Sequence, residues 1–276
     1  SVSAIQDKLE RLDVLAKVLY VAANPDDENT KLLSYFHQAR HARTAYLSLT
    51  RGDGGQNLIG PELRDALGLI RTHELLKARE QDGAMQFFTR ANDFGYSKNP
   101  DETYRFWDKE AILHDMVWVI RQFQPDIIIT RFDPRTPGTT HGHHTASAQL
   151  AQEAMVRAAD WKQFTDQLTH YKPHQTDYLF YNTSYWAYGG PEAFAKVDKS
   201  NWLALDLGPY YPTKGLSNGE IAAKSRSQHQ SQGFGMLGTR GESLDYLEPM
   251  SAEAKHVQKD VFEHIDLSWR KLKGGA

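Results

Sequence analysis

Short apolar runs alternate with amphipathic stretches over the first 160 residues of the chain. Residues 18–23 (VLYVAA) and 126–130 (DIIIT) are continuous and rich in β-branched side chains, as in strands buried on both faces. Residues 45–50 (AYLSLT) predict a second strand and 85–89 a third. Leu32, Leu33 and Phe36 share one side of an intervening helix. Leu63, Leu67, Ile70 and Leu75 predict another helix over 62–81. Ile112, Leu113, Met116, Val117, Ile120 and Phe123 give a clear helical face that Pro125 ends, and 144–159 reads as the next helix.

That alternation predicts an α/β fold: a Rossmann-like, mostly parallel sheet with helices on both faces. Such sheets bind ligands beyond the carboxyl ends of the strands, where the strand order reverses. Polar motifs that follow strand ends are therefore the first candidates for chemistry. The second half is less regular. Residues 178–183 (YLFYNT) and 202–207 (WLALDL) predict strands, 208–219 a loop, 220–232 a helix, and 251–273 a final helix capped by Ser251. No linker composition or repeat interrupts the chain, so one domain is expected over residues 1–276.

The chain has no cysteine, which excludes disulfide frameworks, Cys-bound zinc, iron–sulfur clusters and a cysteine nucleophile. A formal net charge of -3 gives no argument for nucleic acid or an anionic membrane as partner. No apolar run approaches the ~18–20 residues of a membrane helix, and no apolar signal core precedes Lys17. The expectation is a soluble protein. A first residue of Ser rather than Met suggests a processed or trimmed chain, which leaves the compartment open between cytoplasmic and exported after loss of a signal. The pattern specifies no oligomeric state.

Two clusters stand out. Asn24-Pro25-Asp26-Asp27-Glu28 directly follows the first strand. Three consecutive acids repel one another, and a divalent cation would offset that; a solvated acidic helix start is the alternative. His141-Gly142-His143-His144 precedes a helix after the DIIIT strand. Imidazoles three apart can face one site, and neutral imidazole is a common metal ligand. Together the clusters suit a His/Asp zinc site with a spare carboxylate as general base. Supporting features are weaker alone. The glycine-rich residues 50–55 (TRGDGG) bring Arg51 and Asp53 as possible substrate contacts. Arg71 and Glu74 read by spacing as a surface pair. His229 lies in the segment HQSQ after Lys224, where a lone His is more often structural.

In that order, the segments resemble the PIG-L/LmbE-like de-N-acetylase family, over roughly residues 17–235. The family pattern is A-H-P-D-D-E, T-R-G-[DE]-x-G, R-x-x-E, H-x-x-H and a late K…H-x-S-Q. The resemblance implies a three-layer α/β sandwich and zinc-dependent removal of an acetyl group from an N-acetylglucosamine-type sugar or glycoconjugate. It assigns Asp27 and His144 as zinc ligands and Asp26 as the base that deprotonates the attacking water. His141 would stabilise or protonate the tetrahedral intermediate. Glu28 and His229 would support the ligands from behind, and Arg71 would contact substrate or order the site. Asn24 stands where the family has its third zinc ligand, a His. An amide oxygen binds zinc far more weakly than imidazole does. Three readings follow: a silenced enzyme, replacement of the lost imidazole by His143, or a site for a harder metal or none.

Two function classes follow from these motifs. One is a zinc N-deacetylase acting on a small amino sugar. The other is a catalytically silent carbohydrate-binding protein. A magnesium phosphoesterase built on the three acids is disfavoured by the His cluster. A nucleotide-binding Rossmann protein is disfavoured because acids replace the glycine fingerprint. Aromatics in 181–188 (YNTSYWAY) suit either a sugar face or core packing.

Overall fold

The computed structural model describes residues 2–135, 140–235 and 237–272. The strands are β1 (Lys17–Ala22), β2 (Arg43–Ser48), β3 (Met85–Phe88), β4 (Ile127–Thr130), β5 (Tyr178–Thr183), β6 (Leu203–Asp206), β7 (Tyr210–Tyr211), β8 (Leu216–Ser217) and β9 (Leu244–Pro249). The α-helices are α1 (Val2–Arg11), α2 (Thr30–Gln38), α3 (Asp65–Asp82), α4 (Pro100–Thr103), α5 (Lys109–Phe123), α6 (Gly142–Ala159), α7 (Pro191–Ala195) and α8 (Asn218–Arg226). Seven strands form one sheet in the order β3-β2-β1-β4-β5-β9-β6. The first five run parallel. β9 is antiparallel to both β5 and β6. β7 and β8 form a separate short hairpin.

Alternation along the strands divides the core into two layers. Val18, Tyr20 and Ala22 of β1, with Ile127 and Ile129 of β4, pack against Leu32, Leu33 and Phe36 of α2 and Leu75 of α3. Leu19, Val21 and Ile128 point the other way, against Leu113, Met116, Val117 and Ile120 of α5 and Leu150 and Ala154 of α6. Helices thus cover both faces, as the apolar periodicity predicts. Among the described residues no helix is long and apolar enough to cross a membrane.

The second half departs from expectation. Among the described residues of the segment predicted as a helix over 251–273 there is no α-helix, only two 3-10 turns, Glu253–His256 and Trp269–Leu272. Side chains here take the backbone donors a helix needs. Glu263 Oε2 accepts from the N–H of Gln258 and Lys259, and Asp260 and Asp266 accept from Phe262 and Ser268. His264 adopts φ 68°, which no helix tolerates. The segment instead wraps the sheet, burying Val257, Val261 and Phe262. The predicted helix over 220–232 starts at Asn218 under a Ser217/Glu220 capping box and ends at Arg226, so His229 is not helical. The predicted loop over 208–219 contains the β7–β8 hairpin. β9 escapes the apolar pattern because Asp245 and Glu248 interrupt it, and α1 lies in the polar N-terminus.

Candidate active site

The site lies beyond the carboxyl ends of β1 and β4. Strand order reverses between these neighbours, because β2 and β3 extend one way from β1 and β5 the other. β1 runs into the acid turn, β4 into Arg131 and Phe132, and His141 caps the start of α6. A cleft of about 340 Å³ is lined by Asp26, Asp27, His141 and His144. Arg131, Phe132, Trp186 and Arg226 form its walls.

Hydrogen bonds fix the acid turn. The Asn24 N–H donates to Asp27 Oδ2 at 2.7 Å, and the Asp26 N–H to Glu28 Oε2 at 2.9 Å. Arg226 donates to the Asp26 carbonyl, and Gln232 to that of Pro25 at 3.3 Å. These bonds hold Asp26 at φ 93°, a region L-residues rarely occupy. Glu28 is fully buried between Arg79 at 3.1 Å and His229 at 2.8 Å. Burial opposes its ionisation, but the His229 and Arg79 contacts outweigh that and hold its carboxyl well below the usual range. Asp26 has less compensation. Burial pushes its carboxyl up to about 6, with Arg226 opposing and Glu28 reinforcing. Asp27 is raised well above the usual range by burial and then by repulsion from Asp26.

The residues present fit a divalent metal. Asp27 Oδ1 and His144 Nε2 face each other at 3.7 Å, too far for a hydrogen bond. His144 Nδ1 is engaged by the Thr140 hydroxyl at 2.9 Å, which orients Nε2 as such partners do in metal sites. The His144 ring also stacks on Phe132, with centroids 3.9 Å apart. Burial, then the neighbouring His143 and His141, push the His144 pKa far down, so its imidazole is neutral and free to ligate. His143 is lowered to about 4 by burial and His141. Ligand atoms of His141, His143 and His144 lie within 4.8 Å of one another. Nδ1 of His143 is buried with no hydrogen-bond partner. The Asn24 amide oxygen accepts from the Thr50 hydroxyl at 2.7 Å. Two half-buried carboxylates that resist ionisation beside neutral imidazoles are a donor set that a cation completes.

The other predicted residues are dispersed. Arg71 donates to the carbonyls of Gly52 at 2.9 Å and Gln56 at 2.7 Å, so it orders the glycine loop from within. A Cβ at Gly55 would sit 2.3 Å from the Arg71 guanidinium and displace it from these carbonyls. Glu74 accepts from the Ser231 N–H and hydroxyl at 2.6 and 2.7 Å, so Arg71 and Glu74 are not the surface pair their spacing predicts. Arg51 lies over the Phe88 ring at 4.1 Å, and Asp53 accepts from the Asp93 N–H at 3.2 Å. Both line a second depression beside α3 rather than the cleft. The aromatic segment divides: Trp186 is 41% exposed at the cleft, whereas Tyr181 is buried in β5. Sequence reasoning missed Arg131, Phe132, Arg79 and Arg226. The first two directly follow a strand end, and that position was the available signal.

Residues 19–155 match the family model described as GlcNAc-PI de-N-acetylase, PIG-L. A 1D-myo-inositol 2-acetamido-2-deoxy-alpha-D-glucopyranoside deacetylase from Kineococcus radiotolerans is 30% identical over 177 residues, 55% of this chain and 48% of that protein. Its namesake from Thermobifida fusca is 28% identical over 162 residues, 52% of this chain and 56% of that protein. The chain thus spans about half the length of the curated relatives it matches. Among solved structures, N,N'-diacetylchitobiose deacetylase from Pyrococcus horikoshii has a TM-score of 0.56 at 19% identity, covering 84% of this chain and 76% of that one. GalB, the 4-carboxy-2-hydroxymuconate hydratase from Pseudomonas putida, has a TM-score of 0.55 at 17% identity, covering 89% and 99%. These two likenesses establish a shared fold, and folds host differing chemistries.

Proposed function

We infer, for a chain whose residues 19–155 belong to the PIG-L family, a metal-dependent N-deacetylase that releases acetate from a glucosamine-type sugar or glycoconjugate. The observation that carries this reading is the half-buried Asp26/Asp27 pair at the strand-order reversal, with Asp27 facing His144 across 3.7 Å. Asp27 and His144 would hold the metal, with Asn24 or His143 as a further donor. Zinc bound there supplies Lewis-acid activation of a water and of the amide carbonyl.

The remaining work falls to the protein's own side chains. Asp26 takes the proton from the attacking water; burial makes its carboxylate a stronger base than an exposed one. Glu28, clamped by Arg79 and His229, fixes the Asp26 backbone and so the direction of that carboxylate. His141, exposed at the cleft, donates to the tetrahedral oxyanion and then to the departing amine. The exposed Trp186 ring offers an apolar face for a sugar.

The test pairs metal content with turnover. The chain and its Asn24→His, Asp26→Asn and Asp27→Ala variants are purified without chelator. Bound zinc and acetate release from N-acetylglucosamine glycosides are then measured. The expected result is about one zinc per chain, turnover abolished by chelation, and zinc lost in Asp27→Ala. Asp26→Asn should keep its zinc and lose ~10²–10⁴-fold in turnover. Zinc and turnover confined to Asn24→His would identify a silenced deacetylase. Sugar binding indifferent to chelator, with no acetate released by any variant, would overturn the enzyme reading in favour of a carbohydrate-binding protein.

A further inference from the structure

We propose that Arg131 and Arg226 form a subsite for an anionic substituent, a carboxylate or phosphate, carried by the sugar that enters the cleft. Both guanidinium groups line the cleft that holds Asp26, Asp27 and His144. Neither makes an ion pair within 4.0 Å with a carboxylate of the described residues, unlike Arg79, which pairs with Glu28 and Asp82. Their hydrogen bonds go to neutral acceptors. Arg131 reaches the Asn182 amide oxygen at 3.5 Å, and Arg226 the Asp26 carbonyl.

Aromatic rings hold both groups in place. The Arg226 guanidinium lies 3.9 Å from the Phe234 centroid, and that of Arg131 lies 5.5 Å from the Trp186 centroid. An arginine stacked on a ring and bonded to neutral oxygens is pre-organised, and its charge is left for a ligand. Charge counting points the same way and rests on the metal reading above. Asp27 and Asp245 act on Arg131, and Asp26 and Glu28 on Arg226, without closing an ion pair on either. A divalent cation on Asp27 and His144 would draw on the same carboxylates and shift the cleft toward positive charge. An anion on the substrate restores the balance, and a planar guanidinium matches a carboxylate or phosphate through two parallel N–H donors. The subsite selects among N-acylated sugars by charge, a choice the metal and base cannot make.

Calorimetry on the metal-loaded protein tests this without requiring turnover. The probes are neutral N-acetylglucosamine, N-acetylmuramic acid for the carboxylate, and N-acetylglucosamine 6-phosphate for the phosphate. At least one anionic sugar should bind ~10-fold or more tightly than the neutral one, with a preference that salt weakens. Which anion wins identifies the source. In Arg131→Gln and Arg226→Gln the preference should collapse toward unity while bound metal is retained. Arg226→Lys should keep part of it. Inorganic phosphate is a second probe: it should raise the melting temperature of the parent protein more than that of either Gln variant. Equal affinity for all three sugars, or a preference that survives in both Gln variants, overturns the subsite. So does absence of both sugar binding and the phosphate effect. Anion binding that depends on these arginines but is accompanied by no acetate release leaves the subsite standing and overturns the deacetylase reading alone.

Discussion

His37 shows how a single half-buried side chain contributes to the response of this protein to acid. It lies on α2 beside Arg11 at 3.4 Å, against Gly83, where a Cβ would meet the imidazole at 2.2 Å. Burial, then Arg11, pushes its pKa down to about 3. The unfolded chain binds this proton near pH ~6.5, the folded chain only near 3. Stability is therefore complete above about 6.5 and is lost as pH falls toward 3. Melting temperature should drop across that window, and His37→Gln should flatten the drop by ~1–2 kcal/mol after allowance for partial exposure. An unchanged pH profile would show that His37 is not the group responsible. At this scale the candidate site was legible where its residues are neighbours in the chain. Asp26, Asp27, Glu28, His141 and His144 announce themselves because like charges and imidazoles crowd within a few positions. Arg226 does not: it meets Asp26 from 200 positions away in the chain, and nothing local marks it.

Helix α8 delivers Arg226 to the cleft and then releases the chain so that His229 reaches Glu28. Its start is set by Ser217, whose side chain accepts from the Glu220 N–H at 3.1 Å while Glu220 reaches back to the Ser217 N–H at 2.8 Å. Ser217→Ala should cost ~0.5–2 kcal/mol and lower the melting temperature by a few degrees. Thermal unfolding followed by circular dichroism reads this directly, and an unshifted melting temperature would deny the cap its role. The same element shows why helix boundaries eluded the apolar pattern. Glu220 reads as a helix start but is the third helical position, because the polar Ser217 and Asn218 carry no hydrophobic periodicity. The final segment failed as a helix for a related reason. Asp260, Glu263 and Asp266 look like solvent-facing helix residues, yet their carboxylates capture nearby N–H groups and turn the chain around the sheet.

Across the whole molecule, the second half of the chain completes the first. Asn182 of β5 accepts from the Tyr20 hydroxyl at 2.9 Å and from Asn29 at 3.0 Å, and Asn29 donates to Asp245 of β9 at 2.6 Å. Val257, Val261 and Phe262 close the layer built on β1 and α2. A chain ending at residue 160, just past the region matched by the family model, would leave β4 as an open edge and this layer uncovered. It should show no cooperative thermal transition and little near-ultraviolet circular dichroism. A sharp transition in that fragment would mean the parallel half is self-sufficient. By itself, the sequence determined the alternation of strands and helices, the two-faced burial of the sheet and the paired acid and histidine motifs. All of these arise from side-chain periodicity or from neighbours within a few residues. Only the tertiary structure decided the antiparallel end of the sheet, the wrapping C-terminal segment and the arginines and tryptophan of the cleft. Those depend on contacts between residues far apart in the chain, whose free energy exists only once the sheet has brought them together.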